Sequence, residues 1–181
     1  WAFGKYSRGA VKVHTLLDLR GSIPNFILIT NGKYHDSNIL DELYFIPNTF
    51  YVMDKAYVDM NALYNIHSQD SFFVTRAKKN MKYHIIEENF NINELIGLRF
   101  DKKISLSVYK SNKIYPENLR LIGYYDTEKD EIFEFLTNNF DITALEIANL
   151  YKNRWQIEVF FKWIKQNLTI KHLWEVYRKC C

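Results

Sequence analysis

The chain has 181 residues, 48% hydrophobic, 17% aromatic and 25% charged, with only six glycines and three prolines. That length suits one domain, or a domain with an insertion, and the composition excludes disordered and collagen-like sequence. The net charge is +3, no apolar run reaches the roughly 20 residues of a membrane span, and residues 1–25 scatter Lys5, Arg8, Lys12 and Arg20 where a signal peptide needs a continuous apolar core. The two cysteines, Cys180 and Cys181, are adjacent and frame neither a disulfide scaffold nor a zinc site. A reducing, cytoplasmic setting is expected.

In chain order, residues 11–17 alternate as a strand, with Val11, Val13, Thr15 and Leu17 on one face. Asp18–Gly21 reads as a turn and Asn25–Thr30 as the returning strand. Asp36 or Ser37 can cap a short helix that runs through Leu43. Phe50–Met53 is the short apolar run of a buried central strand. A helix over about Asp59–Ile66 and a strand Phe72–Thr75 follow, an α/β alternation. Residues 82–137 change character: short β-like runs at Tyr83–Ile86, Ile104–Tyr109, Leu119–Tyr125 and Ile132–Leu136 are punctuated by turn clusters, which predicts an all-β insertion. Asp141 or Thr143 caps a helix, with Glu146 in a capping-box arrangement from Thr143, that runs to about Leu168 with no Gly or Pro inside.

Charge is unevenly placed. Residues 151–181 hold seven basic residues against Glu158 and Glu175, and a second cluster comprises Arg76, Lys78, Lys79 and Lys82. Basic residues interleaved with aromatics suit a phosphate backbone; a solvated basic face is the alternative. On a wheel of the last helix, Tyr151, Arg154, Glu158, Lys162 and Lys165 share an arc of about 80°, flanked by apolar residues on both sides. Leu150, Ile157, Phe161, Ile164 and Leu168 form one flank, and Leu145, Val159, Phe160 and Trp163 the other. A charged stripe between two apolar ones points into a cleft or a partner, although an intrahelical salt-bridge ladder produces the same spacing. Asp54 directly follows Phe50–Met53, at the carboxyl end of the expected buried strand, where open α/β sheets bind ligands; a simple turn residue is the competing reading. Asp59 and Asp70 read as helix cap and turn.

Taken together these residues resemble a known family. The pattern Tyr151-x2-Arg154-x3-Glu158-x6-Lys165 is similar to the YREK signature of DDE transposases of bacterial insertion sequences. Asp54 within Val52–Asp59 resembles that family's second acidic motif, residues 7–18 its second strand, and Phe73–Lys78 the strand after the second Asp. The resemblance reaches to about Leu173. It implies an α/β, RNase H-like mixed sheet with helices, interrupted by the all-β insertion before the last catalytic helix. The organisation it implies is a first part of the core over residues 1–81, the insertion over 82–137, the remainder with the catalytic helix over 138–173, and a divergent tail over 174–181.

The resemblance further implies metal-dependent phosphodiester hydrolysis and strand transfer at transposon ends. Asp54 and Glu158 would be catalytic ligands of Mg²⁺ or Mn²⁺, since hard cations take oxygen ligands. Tyr151, Arg154, Lys162, Lys165, Arg76 and Lys78 would bind DNA. Its partners would be transposon-end and target DNA and, at full length, a second copy in a homodimer; no membrane is involved, and the setting would be the bacterial nucleoid. One departure stands out. The family's first Asp lies on a strand ahead of the Arg8–His14 segment, yet residues 1–9 hold no acidic residue. A piece truncated at both ends, inactive alone, is therefore expected. A DNA-binding remnant without catalysis, or another RNase H-like nuclease, is the alternative.

Overall fold

The computed structural model describes residues 11–21, 23–31, 33–89, 92 and 94–167. Strands β1 (Val11–Asp18) and β2 (Ile23–Asn31) form an antiparallel ribbon of their own, with Val13 opposite Ile29 and Thr15 opposite Ile27. The six-stranded mixed sheet contains β3 (Phe50–Met53), β4 (Phe72–Arg76), β5 (Tyr83–Glu88), β6 (Leu98–Leu106), β7 (Leu119–Asp126) and β8 (Glu131–Thr137). Its order is β3-β4-β8-β7-β6-β5; only β3 and β4 run parallel. Helices α1 (Met60–Ser68), α2 (Tyr109–Ile114), α3 (Ala144–Lys152) and α4 (Trp155–Asn167) complete it. This is the RNase H-like α/β class expected from the sequence.

Alternation along the strands divides the core between the two faces of the sheet. Tyr51, Met53, Phe73, Leu121 and Leu136 join Leu63 and Ile66 of α1 in one buried cluster. Val52, Val74, Ile122 and Phe135 join Ile147, Ala148 and Tyr151 of α3, Ile157 and Phe161 of α4, and Leu17 of the ribbon in the other. Helices therefore cover both faces, and β3 can be almost wholly apolar, as a doubly covered strand should be.

Several local expectations change. Asp36 does not cap a helix: a 3-10 segment covers Asp36–Glu42 behind His35, and the Asp36 carboxylate is buried against Lys12 at 3.0 Å. Burial of both charges makes pairing across to the ribbon more favourable than a solvated cap. Asp59 does cap α1, accepting from the amides of Asn61 and Ala62, and Asp70 sits in a left-handed turn at φ 53°. The strands of residues 82–137 extend the core sheet edgewise through the pairing of β8 with β4. The insertion is not wholly β, because Tyr109–Ile114 turn into the short helix α2.

The long last helix is broken. The amide of Arg154 donates to Tyr151 O at 3.1 Å, that of Gln156 to Asn153 O at 3.0 Å and that of Ile157 to Arg154 O at 3.3 Å, so one tight i→i+3 turn separates α3 from α4. No Gly or Pro lies there. Both halves still bury side chains in one cluster: Ile147, Ala148 and Tyr151 of α3 and Ile157 and Phe161 of α4 join Val52 and Val74 of the sheet and Leu17 of the ribbon. The second apolar flank of the wheel is not buried, since Val159 and Trp163 are 48% and 59% exposed.

The entry to α3 is fixed by a buried charge. Arg120 of β7 grips Asp101 of β6 with two bonds of 2.8 Å, and its other amino group donates to the carbonyls of Ile142 at 2.7 Å and Asn139 at 3.4 Å. Both side chains are nearly buried, at 10% and 13% exposure. Arg120→Ala leaves Asp101 charged and unpaired in the interior, which costs about 3–5 kcal/mol. Urea unfolding should show the midpoint falling with little change in slope.

Candidate active site

Strand β3 ends at Met53, and the chain turns at once into a 3-10 segment, Lys55–Tyr57, capped by the Asp54 carboxylate through the amide of Ala56 at 3.2 Å. Both readings of Asp54 thus hold locally. It caps a turn, and it stands at the carboxyl end of a buried strand with a side chain 32% exposed. Glu158 stands on the first turn of α4 with its side chain 44% exposed.

Arg154 brings these two together. It lies in the break between α3 and α4, 17% exposed, and one guanidinium nitrogen approaches Glu158 Oε1 at 3.3 Å. The other lies 3.8 Å from Asp54 Oδ2, a charge contact beyond hydrogen-bond length. The i,i+4 relation of Arg154 to Glu158 survives the break because it needs only the one turn that follows it. Two carboxylates distant in sequence thus flank one cation.

Tyr151 lies closer to the core than the wheel suggests. Its ring is 8% exposed and meets the Phe135 ring at 4.8 Å, while the Arg154 guanidinium lies 5.5 Å from its centroid. Burial pushes its hydroxyl above the ordinary tyrosine value of 10.0; Arg154, which also hydrogen-bonds to it, opposes the shift, Asp54 adds to it and Arg76 opposes it. The basic residues of the expected DNA face are dispersed. Arg76 pairs with Glu131 at 3.2 Å and covers the Phe133 ring at 4.2 Å. Lys78 donates to the carbonyl of Val58 at 2.6 Å. Lys162 is exposed on α4. Lys165 falls within α4, but its side chain lies outside the described residues, as does the tail over 174–181.

A cavity of about 290 Å³ opens beside Arg154 and Glu158, walled by Tyr124, Phe133, Phe135 and Trp155 and edged by Asp126 and Lys152. Sequence reasoning missed Trp155 and the β7–β8 turn that reach it. The aromatic alternation Tyr124–Phe133–Phe135 was the available signal, but only the register Tyr124↔Phe133 and Ile122↔Phe135 puts those rings on the α3 side. Asp126 and Glu128 of the β7–β8 turn line this cavity. Asp101 does not, being held by Arg120.

A divalent cation fits the donor set in part. The Arg154 guanidinium already sits where a positive charge meets Asp54 and Glu158, and both acids keep solvent-facing surface. Among the described residues, no group of three or more His, Cys, Asp or Glu side chains comes together as a metal cluster.

Residues 1–173 match the family model described as the transposase DDE domain. The chain belongs to that family. A relative from Sinorhizobium fredii that bears the transposase name y4zB is 31% identical over 174 residues, covering 94% of this chain and 48% of its own length. One bearing the name of the transposase of insertion sequence element IS5377, from Geobacillus stearothermophilus, is 28% identical over 179 residues, 96% of this chain and 45% of its own. A third, from a Synechocystis strain and named for element IS4SA, is 27% identical over 169 residues, 90% of this chain and 46% of its own. The chain spans about half the length of these curated relatives. Among the described residues, no helix is long and apolar enough to cross a membrane.

The raised Tyr151 hydroxyl makes an alkaline prediction for this DDE domain. A folded-state pKa above the unfolded value gives stability that is complete below pH 10 and is lost as pH rises through the folded value. Tyr115, also buried and raised, adds to the same loss. Urea midpoints measured at about pH 9 and about pH 11 should diverge, and Tyr151→Phe should narrow the gap relative to the parent chain.

Proposed function

We propose that this DDE domain is the catalytic core of a transposase that cuts and rejoins phosphodiester bonds at transposon ends, with Asp54 and Glu158 as ligands of Mg²⁺ or Mn²⁺. The observation that carries the reading is the shared cation: the end of β3 and the start of α4 bring their carboxylates to one guanidinium. Carboxylates suit hard divalent ions, which when bound supply an activated water or 3′-hydroxyl and relieve charge on the leaving oxygen. The chain's own residues do the rest. Asp54 is oriented by its bond to the Ala56 amide, and Glu158 by the helix turn it shares with Arg154.

Phosphate contacts fall to Arg154, Lys162 and Lys165, with the Tyr151 hydroxyl beside them. Arg76 and Lys78 are assigned to DNA as well, although each already serves a contact within the fold. In this reading, transposon-end and target DNA are the substrates and the full-length protein acts as a pair of copies. The chain by itself binds DNA without cutting it, because phosphoryl transfer through two ions needs more carboxylate than Asp54 and Glu158 provide.

Binding of an oligonucleotide carrying a transposon end should fall steeply with salt, the slope tracking the number of phosphates neutralised. Lys162→Ala should reduce that slope by about one ion. Nicking of the same end should require the longer protein and Mg²⁺ or Mn²⁺, and Asp54→Asn or Glu158→Gln in it should remove nicking while leaving binding within a few fold. Nicking by the short chain that disappears in Glu158→Gln would overturn the need for a further carboxylate. Nicking by the longer protein that survives both substitutions would overturn the site.

A further inference from the structure

We infer that Arg154 is a displaceable internal cation: it holds Asp54 and Glu158 in the metal-free protein, and a divalent ion must displace it from them, which releases the guanidinium for DNA phosphate. The inference rests on the metal-site reading given above and adds a coupling between the two ligands of that site.

The argument comes from comparing two arginines in the same fold. Arg120 meets Asp101 through two short parallel bonds of 2.8 Å and also donates to two backbone carbonyls, with both side chains nearly buried. That is a cross-link whose partners are satisfied in place. Arg154 is attached differently. Its contacts to Asp54 and Glu158 are long, 3.8 and 3.3 Å, it also hydrogen-bonds to the Tyr151 hydroxyl, and the acids keep 32% and 44% of their side-chain surface. Each carboxylate therefore keeps surface along which an ion can approach from solvent. The guanidinium also has somewhere to go. It stands at the tight turn between two helices, over the Tyr151 ring, beside a cavity edged by Lys152 and Lys129 where a phosphate would find positive charge.

A guanidinium and a divalent ion cannot both neutralise the same two carboxylates without repelling each other. Removing the guanidinium should therefore tighten metal binding. Linkage makes the coupling reciprocal: metal should strengthen oligonucleotide binding, and the oligonucleotide should strengthen metal binding, by the same factor.

The test uses Mn²⁺ titrated into the 181-residue chain and followed by electron paramagnetic resonance of the free ion, with no activity required. Arg154→Gln should tighten Mn²⁺ about tenfold, within the usual span of coupling between sites. Lys152→Gln removes an equal charge from the same cavity without touching either carboxylate and should have a much smaller effect. Glu158→Gln should weaken or abolish binding, which tests the underlying site. Equal gains from Arg154→Gln and Lys152→Gln would reduce the effect to general charge and overturn displacement. Unchanged or weaker Mn²⁺ binding in Arg154→Gln, with Glu158→Gln still defective, would overturn the inference and leave the metal site standing. Indifference of Mn²⁺ binding to Glu158→Gln, or no binding in any variant, would overturn both. Arg154→Met, which keeps the stem over Tyr151, serves if the Gln variant unfolds. Unfolding of both would show a structural cross-link and overturn the inference as well.

Discussion

The meeting of two carboxylates at the Arg154 guanidinium is the constraint around which the rest of this fold can be understood. Two acidic side chains held near each other repel, and solvent exposure only partly screens them. One sits at the end of a buried parallel strand and the other on a helix whose Ile157 and Phe161 share a buried cluster with Val52 of that strand and Leu17 of the ribbon. The cation between them offsets the repulsion and ties the two supports together. Its strength is modest, because both contacts are long and partly wet. The geometry of the site therefore depends on packing elsewhere, with the guanidinium responding to it.

That packing begins far from the acids. The six-stranded sheet carries Asp54 at the end of β3, and its continuation through β8, β7 and β6 carries Arg120 and Asp101. Arg120 fixes the carbonyls of Asn139 and Ile142, and the Asn139 side chain accepts from the amides of Asp141 and Ile142. The Thr143–Glu146 capping box then starts α3 at a defined point. Asn138 adds a further tie, accepting from the amide of Phe73 on β4 and donating to Ser71 O. The insertion is thus more than an accessory. Its strands hold the loop from which the helix bearing Tyr151 departs, and its β7–β8 turn walls the cavity beside Glu158.

Much of this could be read in the sequence where the signal was local. The apolar run before Asp54, the capping box at Thr143 and the i,i+4 spacing of Arg154 and Glu158 each involve a few consecutive residues, and each stands where the spacing puts it. The errors arose where the deciding contact is long-range. A wheel for one straight helix placed Tyr151 in a polar arc, whereas the break lets α3 press that ring onto Phe135. Asp36 reads as a cap because its partner Lys12 lies on another element. Residues 82–137 read as an all-β insertion, because strand propensity reveals neither the short helix Tyr109–Ile114 nor the pairing of β8 with β4. Arg120 had a signal that went unused: a charge within Leu119–Ile122, otherwise an apolar strand, requires a buried partner.

The break between α3 and α4 has the same kind of cause. Nothing in residues 151–157 disfavours a helix strongly enough to end one, for Asn153 costs only a fraction of a kcal/mol relative to good formers. The halves instead bury their apolar side chains in one cluster built from distant parts of the chain. Ile147, Ala148 and Tyr151 lie on the sheet, while Ile157 and Phe161 share a buried cluster with Leu17, against which Val13 and Ile164 also pack. Burying those side chains contributes roughly 1.5–3 kcal/mol each, more than the loss from replacing three helical hydrogen bonds with tighter i→i+3 ones. That cluster also contains Val52 of β3, so the strand that bears Asp54 and the helix that bears Glu158 share one core. Arg154, standing at the joint between α3 and α4, contacts both acids across it.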